Sequence, residues 1–156
     1  VIATDLHAAP REVARRLGAR ALDARDGAVI GELHADVVIE SSGTVPGLDA
    51  AISACHRGGT VVLVGLQRAG QVPAAMASVI TRELTLTGSF RFGAEFADVV
   101  AALGDGSLVV DEVISHTFDA ADARDAFAVA GDAAVSAKVL LAFAGAGTVV
   151  SDEEAR

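Results

Sequence analysis

Hydrophobic and polar positions along this chain switch repeatedly between a strand period and a helix period. Val1-Ile2-Ala3-Thr4-Asp5 opens with four residues of buried-strand character and ends in a carboxylate. Ala9, Val13 and Leu17 then recur at helical spacing, with Arg11, Glu12, Arg15 and Arg16 left for solvent, which predicts a helix over Ala8–Leu17. Gly18 is placed to stop it as a C′ glycine. Ala21-Leu22 reads as a weak edge strand, followed by a polar loop around Asp23 to Asp26. Asp36-Val37-Val38-Ile39-Glu40 is an unbroken β-branched run, which predicts a parallel strand covered by helices on both faces. Leu48, Ile52 and Cys55 mark a helix over Pro46–His56, where Pro46 suits the first turn and Gly58-Gly59 ends it. Thr60-Val61-Val62-Leu63-Val64-Gly65 is the strongest strand of the chain.

The same alternation continues to Phe143. Helices are expected over Ala74–Thr81, Ala94–Leu103 and Ala120–Ala130, and strands over Leu84–Phe90, Val113–Phe118 and Ala137–Phe143. Strand, helix and strand joined by short links imply right-handed βαβ units and an α/β fold with a doubly wound parallel sheet. No internal repeat at a fixed period is present. Residues 1–143 read as one domain, and Gly145, Gly147, Ser151, Asp152, Glu153 and Glu154 as part of a flexible acidic tail over 144–156.

Charge narrows the partners. Acidic residues number 21 against 12 basic, a net charge of −9, which opposes binding to a phosphate backbone and argues against nucleic acid. Hydrophobic residues make up 52%, yet no apolar stretch approaches the roughly 20 residues of a spanning helix. A soluble, cytoplasmic protein without a membrane partner is the expectation. The opening residues lack a signal peptide and the first is not Met, so the numbering is expected to begin inside a longer chain. Cys55 is the single cysteine. It forms no internal disulfide, fits a reducing compartment, and with no other cysteine leaves zinc without a thiolate set.

Asp5 is the first candidate for chemistry. An acid closing an early strand of a Rossmann-like βαβ unit receives the 2′- and 3′-hydroxyls of an adenosine ribose, about 20 residues after a glycine-rich phosphate turn. That turn would lie before residue 1. Such a carboxylate repels a 2′-phosphate, which favours NAD over NADP. The ribose of S-adenosylmethionine is served by the same geometry, and the plain reading of Asp5 is a turn or helix cap. Ser41, Ser42 and Gly43 stand at the carboxyl end of a parallel strand, where ligands of open α/β sheets bind; the plain reading is a tight turn whose serines cap the next helix. Val64-Gly65-Leu66 holds the same place on the next strand, with Gly65 either admitting a flat ring to the backbone or serving only the turn. Arg91, between Phe90 and Phe92, is suited to an anionic or polyhydroxylated group or to a surface ion pair. Cys55 lies on the apolar stripe of its predicted helix beside His56 and reads as core. His7, His34 and His116 lack carboxylate or thiol partners at zinc-ligand spacing.

Taken in order, Val1 to Asp5, Ala35 to Gly43, Gly58 to Leu66, Glu83 to Phe92 and Ser115 to Phe118 resemble the cofactor-binding half of medium-chain zinc-dependent dehydrogenases. The resemblance covers nearly all of residues 1–143, and Gly88-Ser89-Phe90-Arg91-Phe92 places it beside polyol and sugar-acid dehydrogenases of the sorbitol and L-idonate 5-dehydrogenase kind. It implies that Asp5 binds the adenosine ribose, that Ser41, Ser42 and Gly43 lie beside the adenosine, and that the backbone of Val64, Gly65 and Leu66 meets the nicotinamide carboxamide. It also implies that Phe90 and Arg91 line the cofactor and substrate cleft. Sorbitol-type members often carry an arginine five residues after the ribose acid; here that position is Pro10, with Arg11 next to it.

The resemblance further implies that the glycine-rich turn, the first βα unit and the catalytic zinc ligands precede residue 1, leaving no metal ligand and no catalytic residue in this segment. It implies a homo-oligomer paired through the strand near Leu84–Phe90. The leading expectation is the cofactor-holding part of an NAD-dependent, zinc-assisted oxidoreductase acting on a small polyol or sugar acid. A zinc-free quinone or enone reductase of the same superfamily and a non-catalytic nucleotide-binding or assembly module are the rivals. A segment isolated without its phosphate turn is expected to bind NADH very weakly and to dissolve poorly.

Overall fold

The computed structural model describes residues 1–143; the acidic tail expected over 144–156 lies outside the described residues. In chain order the elements are β1 (Ile2–Asp5), α1 (Ala8–Arg16), β2 (Arg20–Asp23), α2 (Gly27–Gly31), β3 (Ala35–Glu40), α3 (Val45–Ala54), β4 (Cys55–Leu63) and α4 (Met76–Thr81). They continue as β5 (Thr85–Gly88), α5 (Phe96–Gly104), β6 (Ile114–Asp119), α6 (Ala123–Ala130) and β7 (Lys138–Ala142). Contacts divide the described residues into two compact units, one built from Val1–Ala21 together with 102–143, the other from Leu22–Ala101.

The α/β reading with parallel strands holds, and the fold is Rossmann-like. The strands expected as one sheet are hydrogen-bonded as three ladders, in the orders β1-β2, β3-β4-β5 and β6-β7. Periodicity identifies a strand from its own side chains. It does not choose the strand's neighbour.

In the first unit α1 ends as foreseen. Gly18 adopts φ +84°, its N–H bonds to Arg15 O at 2.9 Å, and Ala19 N–H bonds to Ala14 O at 2.9 Å. These are the two bonds of a Schellman stop, and the left-handed conformation is why glycine stands there. β6 and β7 run parallel, tied by Ser115 Oγ, which accepts from Ala137 N–H at 2.9 Å.

The second unit carries the best-packed core. Leu48, Ile52 and Val79 form one buried group and Ala51, Cys55 and Val61 another, both backed by Leu63, Leu84 and Leu86. Leu48 and Ile52 come from α3 and Val79 from α4, so both helices lie on one face of β3-β4-β5. The expectation that β3 is covered on both faces is therefore corrected: Val37 and Ile39 are 59% and 66% exposed. A β-branched run reports only that its side chains suit a pleated surface, and whether a helix covers each face is a tertiary matter.

Element limits change as well. The helix expected to reach His56 stops at Ala54, and Cys55 is already extended at φ −76°, ψ 138° as the first residue of β4. Cys55 and His56 are thus not on a helix, although Cys55 is fully buried. Past the polar loop around Asp23 to Asp26, where no element was expected, the chain forms α2, whose start is capped by Asp26 Oδ1 accepting from Val29 N–H at 3.2 Å. An Asp before Ala28-Val29-Ile30 was the readable signal for it.

Burial pushes the Cys55 thiol above its ordinary value, while Arg82 draws it down and Asp36 adds to the rise. The raised value belongs to the folded state, so this thiol's contribution to stability is whole below the unfolded thiol's pKa. It is lost as pH climbs through the folded value. Alkylation by iodoacetamide at mildly alkaline pH is expected to run about tenfold or more slower in native buffer than in denaturant, because the thiolate is the nucleophile. Equal rates in the two conditions would contradict the burial.

Candidate functional site

Parallel pairing sets Glu40 of β3 opposite Leu63 of β4, so the two strands end together at one edge of their sheet. The chain leaves them through Ser41-Ser42-Gly43 and Val64-Gly65-Leu66. Glu40 joins the two exits. Its main-chain carbonyl accepts from Val64 N–H at 2.8 Å and Gly65 N–H at 2.9 Å. Its carboxylate accepts from Ser42 N–H at 2.7 Å, Ser42 Oγ–H at 2.5 Å and Gly43 N–H at 3.1 Å. The side chain is buried, with Glu40 only 4% exposed. Thr44 then caps α3, its Oγ1 accepting from Gly47 N–H at 3.1 Å.

The glycines record how closely these turns meet. Gly43 has φ +64°, and a Cβ placed on it would stand 2.5 Å from Leu66 O. A Cβ on Gly65 would collide with Gly43 N and lie 2.7 Å from Ser41 C and 2.8 Å from Glu40 Oε2. The space left by the missing side chain of Gly65 is filled by the Ser41–Gly43 turn, so the glycine serves turn-on-turn packing. Ser41, Ser42, Val64 and Leu66 are exposed around this contact, Leu66 by 82%. The Ser42 hydroxyl donates a hydrogen bond to Glu40 and accepts one from Thr44 N–H at 3.3 Å, which makes it part of the turn. Among the described residues the Ser41 hydroxyl makes no hydrogen bond.

The strand expected to reach Phe90 ends its ladder at Gly88, two residues earlier. Beyond it Arg91 takes φ +61°, uncommon for a residue with a Cβ. Its guanidinium carbon lies 4.9 Å from the centroid of the Phe90 ring. Arg91 has no ion-pair partner among the described residues, so the surface-pair reading finds none there. Phe90 and Phe92 are 72% and 69% exposed.

Asp5 belongs to the first unit, whereas Ser41–Gly43, Val64–Leu66, Phe90 and Arg91 belong to the second. It ends β1, and its Oδ1 accepts from His7 N–H at 2.7 Å, closing the turn into α1. Its carbonyl accepts from Arg11 Nη1 at 2.8 Å, so a guanidinium does reach this strand end although Pro10 holds the preceding position. Among the described residues no three His, Cys, Asp or Glu side chains gather to hold a metal. No described helix is long and apolar enough to cross a membrane.

Sequence reasoning passed over Glu40. Its signal was the one that marked Asp5, an acid closing an apolar strand before a turn. Glu40 was counted only as the end of its strand.

A zinc-binding dehydrogenase family profile matches residues 1–105. The chain is 37% identical over 100 residues to D-xylulose reductase of Saccharomyces cerevisiae, covering 63% of this chain and 28% of that protein. It is 35% identical over 111 residues to sorbitol dehydrogenase 1 of the same yeast, covering 69% and 31%. The crystal structure of L-idonate 5-dehydrogenase from Escherichia coli superposes with a TM-score of 0.82 at 25% identity, over 91% of this chain and 42% of that one. The chain thus spans under a third of the length of these two yeast relatives.

Proposed function

This chain belongs to the zinc-binding dehydrogenase family, and from that membership we propose that it holds the NAD of an oxidoreductase acting on a small polyol or sugar acid. One observation carries the reading: two turns at the carboxyl ends of adjacent parallel strands pack backbone to backbone, where open α/β sheets bind ligands. Exposed Ser41 offers a hydroxyl there, and exposed Val64 and Leu66 offer apolar surface, a set that fits a ribose and a flat ring. NAD, when bound, supplies the acceptor for the hydride of a secondary alcohol. The chain's own residues bind and orient. Asp5 accepts from the ribose hydroxyls and repels a 2′-phosphate, the backbone of Val64, Gly65 and Leu66 meets the carboxamide, and Phe90 and Arg91 border the substrate side.

No step is assigned to zinc, for which the described residues offer no ligand set. We place the protein in the cytoplasm as a homo-oligomer paired through the chain near Leu84–Phe90. β5 ends the order β3-β4-β5, which leaves an edge for such pairing.

Asp5→Asn tests the nucleotide assignment in the gene product that carries these residues. The amide keeps an oxygen for His7 N–H and removes the charge. Fluorescence titration is expected to show about tenfold weaker NADH binding, from a lost charged acceptor, with a smaller preference over NADPH. An unchanged ratio of NADH to NADPH affinity would remove Asp5 from the site.

A further inference from the structure

We propose that Glu40 is the positioning residue of this nucleotide site, a buried carboxylate that holds the turn leaving β3 in shape against the turn leaving β4 and limits what they accept. The inference rests on the NAD-holding reading above and deepens it.

An anion at 4% exposure is costly unless hydrogen bonds surround it. Glu40 has them, all from one turn: Ser42 N–H, Ser42 Oγ–H and Gly43 N–H converge on Oε1 at 2.7, 2.5 and 3.1 Å. The carbonyl of the same residue takes Val64 N–H and Gly65 N–H at 2.8 and 2.9 Å. Its Oε2 lies 2.8 Å from where a Gly65 Cβ would stand. One residue therefore ties the exit of β3 to the exit of β4 and backs the contact between them. An apolar side chain could fill the same space, but it would leave the Ser42 and Gly43 amides free to turn.

A chemical restriction follows. Paired backbone N–H groups at a turn are the usual cradle of a phosphate. Here those of Ser42 and Gly43 are occupied by an internal anion, whose charge also repels a second one. The part of the nucleotide received at this turn is thus neutral, a sugar hydroxyl or an uncharged ring, and the pyrophosphate is held elsewhere.

Glu40→Gln is the test, because it keeps the volume, removes the charge and turns one acceptor into a donor facing N–H groups. It is made in the gene product that carries these residues. Amide exchange at Ser42 and Gly43 is expected to quicken about tenfold or more, and KM for NAD to rise about tenfold with kcat nearly kept, as loss of uniform binding requires. Unchanged exchange at both amides overturns the proposal. So does faster exchange with an unmoved KM and an unmoved NADH dissociation constant, the pattern of a purely structural residue. If Glu40→Gln does not fold, Ser42→Ala removes a single donor to the same oxygen and is expected to move exchange at Gly43 and KM in the same direction by less; no movement in either counts against Glu40. Failure of the unmodified protein to bind NADH sinks the functional reading instead, while the exchange measurement still decides the clamp.

Discussion

Gly65→Ala is expected to destabilise the protein by about 3 kcal/mol, the upper part of the range for overpacking a filled site, and to remove NADH binding. The added carbon has no flexible neighbour to displace. It meets Gly43 N, then Ser41 C at 2.7 Å and Glu40 Oε2 at 2.8 Å. Two of these are main chain, and the third is locked by its own hydrogen bonds. The turns must separate, and Gly43 cannot yield easily, since it packs on Leu66 O and already uses φ +64°. A melting temperature lowered by more than about 10 °C is the first readout. Loss of NADH fluorescence enhancement, at a temperature where the variant is folded, is the second. A variant that melts with the parent and binds NADH equally would mean that the turns do not touch.

Ile52→Ala is expected to cost as much stability and leave the site alone. Ile52 is fully buried, grouped with Leu48 and Val79 and backed by Leu63, Leu84 and Leu86. Removing three carbons from a closed aliphatic group costs about 3–4 kcal/mol, as lost transfer energy plus a cavity that rigid strands do not fill. Urea unfolding followed by circular dichroism should show a lower midpoint with an unchanged slope. NADH affinity, measured where the variant is folded, is expected within about twofold of the parent, because Ile52 packs in the core with Leu48 and Val79 and is not one of the residues that form the turns. The two substitutions thus separate instability from loss of the site. Should Ile52→Ala weaken NADH as much as Gly65→Ala, the losses at both positions would reflect general loosening.

Much of the fold could be read from side-chain order. Strand existence followed from β-branched runs such as Val37-Val38-Ile39, and helix limits followed where a terminator had a fixed geometry, as at Gly18. Where two elements met without a terminator, reading failed. The apolar stripe through Cys55 continued the helical period, yet the chain had already turned extended, because Cys55 could be buried in either conformation. At the candidate site, position along the strands marked Ser41–Gly43 and Val64–Leu66. The role of Gly65 was left open, since a glycine needed for a ring and one needed for a neighbouring turn look alike in a string of letters.

By itself the order of residues pointed to most of the helices and strands and to strands that suit parallel pairing, and it put a carboxylate, Asp5, at the end of the first of them. These are local properties, set by backbone propensity, periodicity and the chemistry of single side chains. Only the tertiary structure decided which strands share hydrogen bonds, which face of β3 is covered, and that Glu40 draws two turns together. Those outcomes depend on groups far apart in the chain coming within hydrogen-bond reach, and no local pattern encodes that distance.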